Sequence, residues 1–121
     1  MLVTGVNAVF LYVADLDRSI SFYRDVLGIP LAPHPHNVDW AEHTFPTGVR
    51  FALHRAATPE AIRGSGSMKL DLEVADLDEA IERCREAGVE PRDVERDFWG
   101  SVFTITDPDG YAIDLFQRPR G

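Results

Sequence analysis

The chain has 121 residues, 45% of them hydrophobic and 26% charged, a length that suits one compact domain over 1–121 and a composition that excludes disorder. Twelve basic against twenty acidic side chains leave a formal charge of -8, which repels phosphate backbones and anionic headgroups and argues against nucleic acid or membrane as partners. No apolar run approaches the roughly 20 residues of a bilayer span, residues 1–7 lack a basic-then-apolar leader, and Cys84 is a lone cysteine, so a cytoplasmic protein is expected.

In chain order, the first predicted element is a strand over residues 8–13, with Ala8, Phe10 and Tyr12 on one face and Val9, Leu11 and Val13 on the other. A helix follows, carrying Ile20, Tyr23 and Leu27 at helical spacing from a candidate N-cap, Asp15, to a stop at Gly28. Strands are predicted near 31–32, 38–44 and 49–55. Residues 57–67, rich in Gly, Ser and Pro, read as a linker between a first module, 1–56, and a second, 68–121.

The second module repeats the first. Leu11-Tyr12-Val13-Ala14-Asp15-Leu16-Asp17 returns 61 residues later as Leu72-Glu73-Val74-Ala75-Asp76-Leu77-Asp78. Its strand has an apolar face of Leu70, Leu72 and Val74 and a charged one of Lys69, Asp71 and Glu73. Its helix carries Leu77, Ala80, Ile81 and Cys84, starts at Asp76 with Glu79 in capping-box position, and stops at Gly88. Strands near 91–95, 101–106 and 112–116 complete it, the last two joined by the turn Asp107-Pro108-Asp109-Gly110. The predicted fold is therefore α+β, two βαβββ modules forming an open sheet that lines a cleft.

This order of motifs resembles the glyoxalase / bleomycin-resistance / extradiol dioxygenase (vicinal oxygen chelate) superfamily over nearly the whole chain. The residues that carry it are Val13 through Tyr23 with Asp25-Val26-Leu27-Gly28, then Val74-Ala75-Asp76-Leu77-Asp78, and Asp107 through Leu115. In metal-dependent members of that superfamily four side chains hold a divalent ion. The resemblance puts those positions at Ala8, Ala52, Lys69 and Asp114, of which only Asp114 offers a donor. The inherited centre reads as dismantled, since an open metal site needs about three protein ligands. Lys69 is expected to stand electrostatically in the metal's place, paired with Asp114 and Asp71. The resemblance also implies a homodimer.

Four histidines fall in the first half. His34, His36 and His43 read as solvated side chains, and His54 is the candidate for the cleft, as an acid/base group or hydrogen-bonding partner. Phe10, Tyr12, Phe116 and Trp40 are candidates to stack on a flat ligand, or else to pack in the core. Trp99, beside Gly100, either covers a bound molecule or seals a rim. Arg50 and Lys69 either draw in an anionic substrate or pair with Asp71, Glu73 or Asp114. Cys84 reads as a small apolar filler.

The leading expectation is a metal-independent small-molecule binding protein of the bleomycin-resistance type, with no cofactor. It would sequester an aromatic or cationic ligand, with Asp71, Glu73 and Asp114 attracting the cation. The alternative is a glyoxalase-like lyase or isomerase, or a dioxygenase, using a divalent metal held by non-standard residues, with His54 and Asp114 as catalytic candidates.

Overall fold

The computed structural model describes residues 1–120; Gly121 lies outside the described residues. Residues Val9–Val13 (β1) lead into a helix, Leu16–Ser21 (α1), a π-helical turn at Phe22–Val26, and the strands Ala32–His34 (β2), Asn37–Thr44 (β3) and Arg50–Arg55 (β4). The second half repeats the series as Leu70–Glu73 (β5), Leu77–Glu86 (α2), Arg92–Asp97 (β6), Gly100–Thr106 (β7) and Ala112–Gln117 (β8). The chain divides into two compact units between Ile62 and Arg63, inside the predicted linker. That linker includes a short 3-10 turn at Pro59–Ala61.

Each unit holds one four-stranded sheet, and the strand orders correspond: β1-β4-β3-β2 in the first and β5-β8-β7-β6 in the second. The outer strand pairs with the last strand in parallel, β1 with β4 and β5 with β8, and the remaining neighbours are antiparallel. The parallel pairing demands a crossover, which the helix provides by packing back on its own sheet.

Both helices begin as the sequence predicts. Asp15 Oδ1 accepts from the Arg18 amide at 3.0 Å, and Asp76 Oδ1 accepts from the amides of Asp78 at 3.0 Å and Glu79 at 3.2 Å, satisfying donors that a helix start leaves open. Gln117 of β8 adds a further cap, its Oε1 accepting from the Leu77 amide at 2.7 Å. Leu77, Ile81 and Cys84 form one buried stripe along α2.

The first helix departs from its predicted course. The residue spacing predicts an unbroken helix to Gly28, but the pitch widens at Phe22. The cause is one extra residue: Asp15 to Gly28 spans thirteen positions, whereas Asp76 to Gly88 spans twelve. The closing hydrogen bonds show the same offset. The Val89 amide reaches the Cys84 carbonyl five residues back, and the Ile29 amide reaches Tyr23 six residues back. The π turn absorbs the insertion, so Tyr23 stays buried against Phe51, ring centroids 5.3 Å apart, while Leu27 is only half-buried.

In each sheet, alternate residues turn toward the helix and form the core. Val13, Ala41, Phe51 and Leu53 do so in the first unit, and Phe103, Ile105, Ile113 and Leu115 in the second. Burying each of the larger apolar side chains contributes on the order of 1.5–3 kcal/mol. The other parity presents the residues described next.

Candidate ligand-binding faces

On the first sheet, β1 and β4 set Tyr12 opposite His54 and Phe10 opposite Ala52, while β3 and β4 set Trp40 opposite His54 and Glu42 opposite Ala52. Four of these side chains touch as a contiguous aromatic group. Phe10 lies 5.5 Å from Tyr12, 5.3 Å from Trp40 and 6.2 Å from His54, centroid to centroid. His54 lies 5.3 Å from Tyr12 and 5.7 Å, edge-on, from Trp40. These are separations and tilts at which ring quadrupoles attract. Phe10 remains 42% exposed and Tyr12 38%, so much ring surface is left for another flat molecule.

The hairpin between β3 and β4, closed by the Phe45 amide on the Val49 carbonyl at 2.9 Å, fixes the register that brings Trp40 to His54. Further along the same face, Arg50 Nε donates to Glu42 Oε2 at 3.1 Å. Arg50 is thus paired within its own sheet, with a carboxylate that the sequence pattern does not single out. Glu42 shares strand parity with Trp40, which is the signal that points to it.

The remaining histidines sit elsewhere. His34 Nδ1 accepts from the His36 amide at 3.1 Å inside their own turn, and His43 has the opposite parity to Trp40 and pairs with Phe51.

The second sheet's corresponding face is polar at its centre. Asp71 lies beside Asp114 across β5 and β8, and Thr104 lies beside Asp114 across β7 and β8. Asp114 Oδ1 accepts from Thr104 Oγ1 at 2.7 Å and from Lys69 Nζ at 3.1 Å. Lys69 therefore meets Asp114 as the sequence suggests; its side chain is 52% exposed and that of Asp114 21%. Partial loss of water raises the Asp71 pKa above the ordinary carboxylate value, repulsion from Asp114 raises it further, and Lys69 opposes the shift. Glu73, expected in the same cluster, is instead drawn to Arg118 Nε at 3.0 Å.

Next to this polar group, Trp99 and Phe116 stack with rings 6° from parallel and centroids 6.2 Å apart. Gly100 makes the stack possible. A Cβ there would lie 2.6 Å from the Phe116 ring and 2.7 Å from the Gln117 carbonyl oxygen, and the backbone holds φ at 133°, a conformation open essentially to glycine alone.

These residues do not suit a divalent ion at the positions the resemblance names. Ala52 offers a fully buried methyl, Ala8 precedes β1, and Lys69 directs its ammonium at the one remaining carboxylate. Among the described residues no three His, Cys, Asp or Glu side chains come together as a donor set. Nor, among the described residues, is any helix long and apolar enough to cross a membrane.

Comparison with known proteins agrees with this architecture. The model of the Glyoxalase/Bleomycin resistance protein/Dioxygenase superfamily matches residues 5–115. An antibiotic binding protein, TnmS3 from Streptomyces sp. CB03234, is 25% identical, with 98% of each chain covered and a TM-score of 0.79. A protein of unknown function from Agrobacterium tumefaciens str. C58 is 32% identical, covering 96% of this chain and 97% of its own at a TM-score of 0.71. The fosfomycin resistance protein FosX from Listeria monocytogenes shares the fold at 15% identity, with 96% and 94% covered and a TM-score of 0.76. No curated protein sequence matches the chain.

Proposed function

The chain belongs to the Glyoxalase/Bleomycin resistance protein/Dioxygenase superfamily, and we propose that within it this protein captures a flat aromatic, preferably cationic, small molecule without a metal ion. The observation that carries the reading is the four-ring group of Phe10, Tyr12, Trp40 and His54, contiguous and partly open. Capture requires no bond to be made or broken. It requires apolar ring surface for stacking and a few placed charges for orientation.

Phe10 shows the scale. Taking about 200 Å² for a phenylalanine side chain, its exposed share is about 80 Å², worth up to about 2 kcal/mol if a ligand covers it completely. The net charge of -8 adds a general attraction for a cation. The likeness to an antibiotic binding protein supports the same reading. The competing lyase, isomerase or dioxygenase reading has Asp114 as its only inherited donor, and that carboxylate is already held by Thr104 and Lys69. We further propose a cytoplasmic homodimer as the working form.

Titration with three flat probes in the presence of EDTA tests the proposal: acridine orange as the cation, 2-methoxynaphthalene as the neutral ring, and 2-naphthoate as the anion. Binding that survives the chelator and weakens from cation to neutral to anion is expected, as is a loss of up to about 30-fold on Phe10→Ala, the ratio corresponding to about 2 kcal/mol. Binding that appears only after a divalent metal is added, or a preference for the anion, would overturn it.

A further inference from the structure

His54 is held in one tautomer, and this specifies a feature of the ligand. Its Nδ1 lies 2.8 Å from the carbonyl oxygen of Arg55. A carbonyl has no proton to give, so the hydrogen bond exists only if Nδ1 carries the hydrogen and donates it. In the neutral imidazole the proton is thereby absent from Nε2, which is left with a lone pair. The hydrogen bond shown for the ring is the one at Nδ1. A half-turn of the ring would put carbon where Nδ1 stands and forfeit this bond, and Phe10, Tyr12 and Trp40 surround the ring at centroid distances of 6.2, 5.3 and 5.7 Å.

The aromatic group thus contains one fixed hydrogen-bond acceptor at the side of a stacking surface. Trp40 cannot play this part, since its indole nitrogen only donates. We infer that the ligand is a flat aromatic carrying a hydrogen-bond donor, a hydroxyl or N–H, on the edge that meets His54 Nε2. The inference rests on the capture reading above and narrows it: the surrounding rings accept any flat apolar molecule, and His54 selects those bearing a donor. A donor-free analogue would stack equally well but leave the acceptor without its partner, which lowers affinity.

The test pairs 2-naphthol, which carries the donor, with 2-methoxynaphthalene, its methyl ether, which keeps the ring system and lacks the donor. Both are titrated into the wild-type protein and into His54→Phe, which retains a ring but has no lone pair. On the wild type, 2-naphthol is expected to bind about three- to tenfold more tightly than the ether, the range of one ordinary net hydrogen bond. On His54→Phe that ratio should fall to about one, whatever the change in affinity common to both compounds. Nitrogen-15 spectra of the ligand-free wild type should show Nδ1 protonated and Nε2 unprotonated, with the Nε2 resonance moving on addition of 2-naphthol only. Equal wild-type affinities, a preference that survives in His54→Phe, or a proton found on Nε2 would overturn the inference while leaving aromatic capture standing. Failure of both naphthalenes to bind the wild type would overturn the capture reading and the inference with it.

Discussion

Replacing Gly100 with alanine is expected to cost far more than one methyl group normally does. At φ 133° the alanine backbone is strained, by about 1–3 kcal/mol for a sparsely populated region. The new Cβ would also meet the Phe116 ring at 2.6 Å and the Gln117 carbonyl oxygen at 2.7 Å. The ring can move, but the carbonyl belongs to the β8 backbone and cannot move without disturbing its strand, and overpacking of this kind costs about 1–3 kcal/mol. Together the loss is about 2–6 kcal/mol, a large part of the roughly 5–15 kcal/mol that stabilises a typical domain. At about 3–6 °C per kcal/mol for a chain of this size, the thermal midpoint should fall by about 6 °C or more.

Gly48 supplies the control. Its φ is 98°, and a Cβ added there would meet nothing within 4 Å beyond its own chain neighbours, so Gly48→Ala carries backbone strain alone, about 1–2 kcal/mol. Urea titrations of the two variants separate strain from collision. Near-ultraviolet circular dichroism reports the second consequence, since displacing Phe116 unstacks Trp99. A Gly100→Ala variant that loses less than about 1 kcal/mol, or keeps the wild-type near-ultraviolet spectrum, would refute the close approach and with it the ordered Trp99–Phe116 platform.

Three further outcomes are expected. Because the folded state holds the Asp71 proton more tightly than the unfolded chain does, stability falls as pH rises through the raised pKa and the penalty is complete above it. Asp71→Asn should therefore be more stable than wild type at neutral pH by a few tenths of a kcal/mol, solvent screening keeping the effect small. The gain should vanish once acid protonates Asp71, and urea midpoints showing no gain at neutral pH would contradict this. Lys69→Met should cost under about 1 kcal/mol, because the pair with Asp114 is half in solvent; urea midpoints showing a larger loss would contradict this. Burial pushes the Cys84 thiol above its ordinary pKa, so a disulfide-exchange reagent should modify it only in denaturant, and rapid labelling of the native protein would place the thiol at the surface.

Much of this architecture is legible in the residues because strand parity and helix spacing are local. The Asp15 and Asp76 caps, the left-handed stops at Gly28 and Gly88, and the separation of Phe10 and Tyr12 from Val13 all follow from pattern. Register is less local. That Trp40 meets His54, that Glu42 neutralises Arg50, and that Thr104 joins Asp114 depend on how hairpins align their strands, which parity narrows to one face without choosing the neighbour. The π turn is readable as a one-residue excess between Asp15 and Gly28, once the two halves are compared position by position. Two features need three dimensions outright. One is the bulge in β6 between Arg92 and Glu95, where Asp93 adopts φ 55°; the other is the Arg55 carbonyl that fixes the His54 tautomer.

Elemental analysis of protein purified without chelator tests metal-independent capture most directly, provided acridine orange binding is measured on the same sample. Binding by protein carrying far less than one equivalent of nickel, zinc, iron or manganese is predicted. A transition metal present at close to one per chain, whose removal abolishes binding, would contradict it.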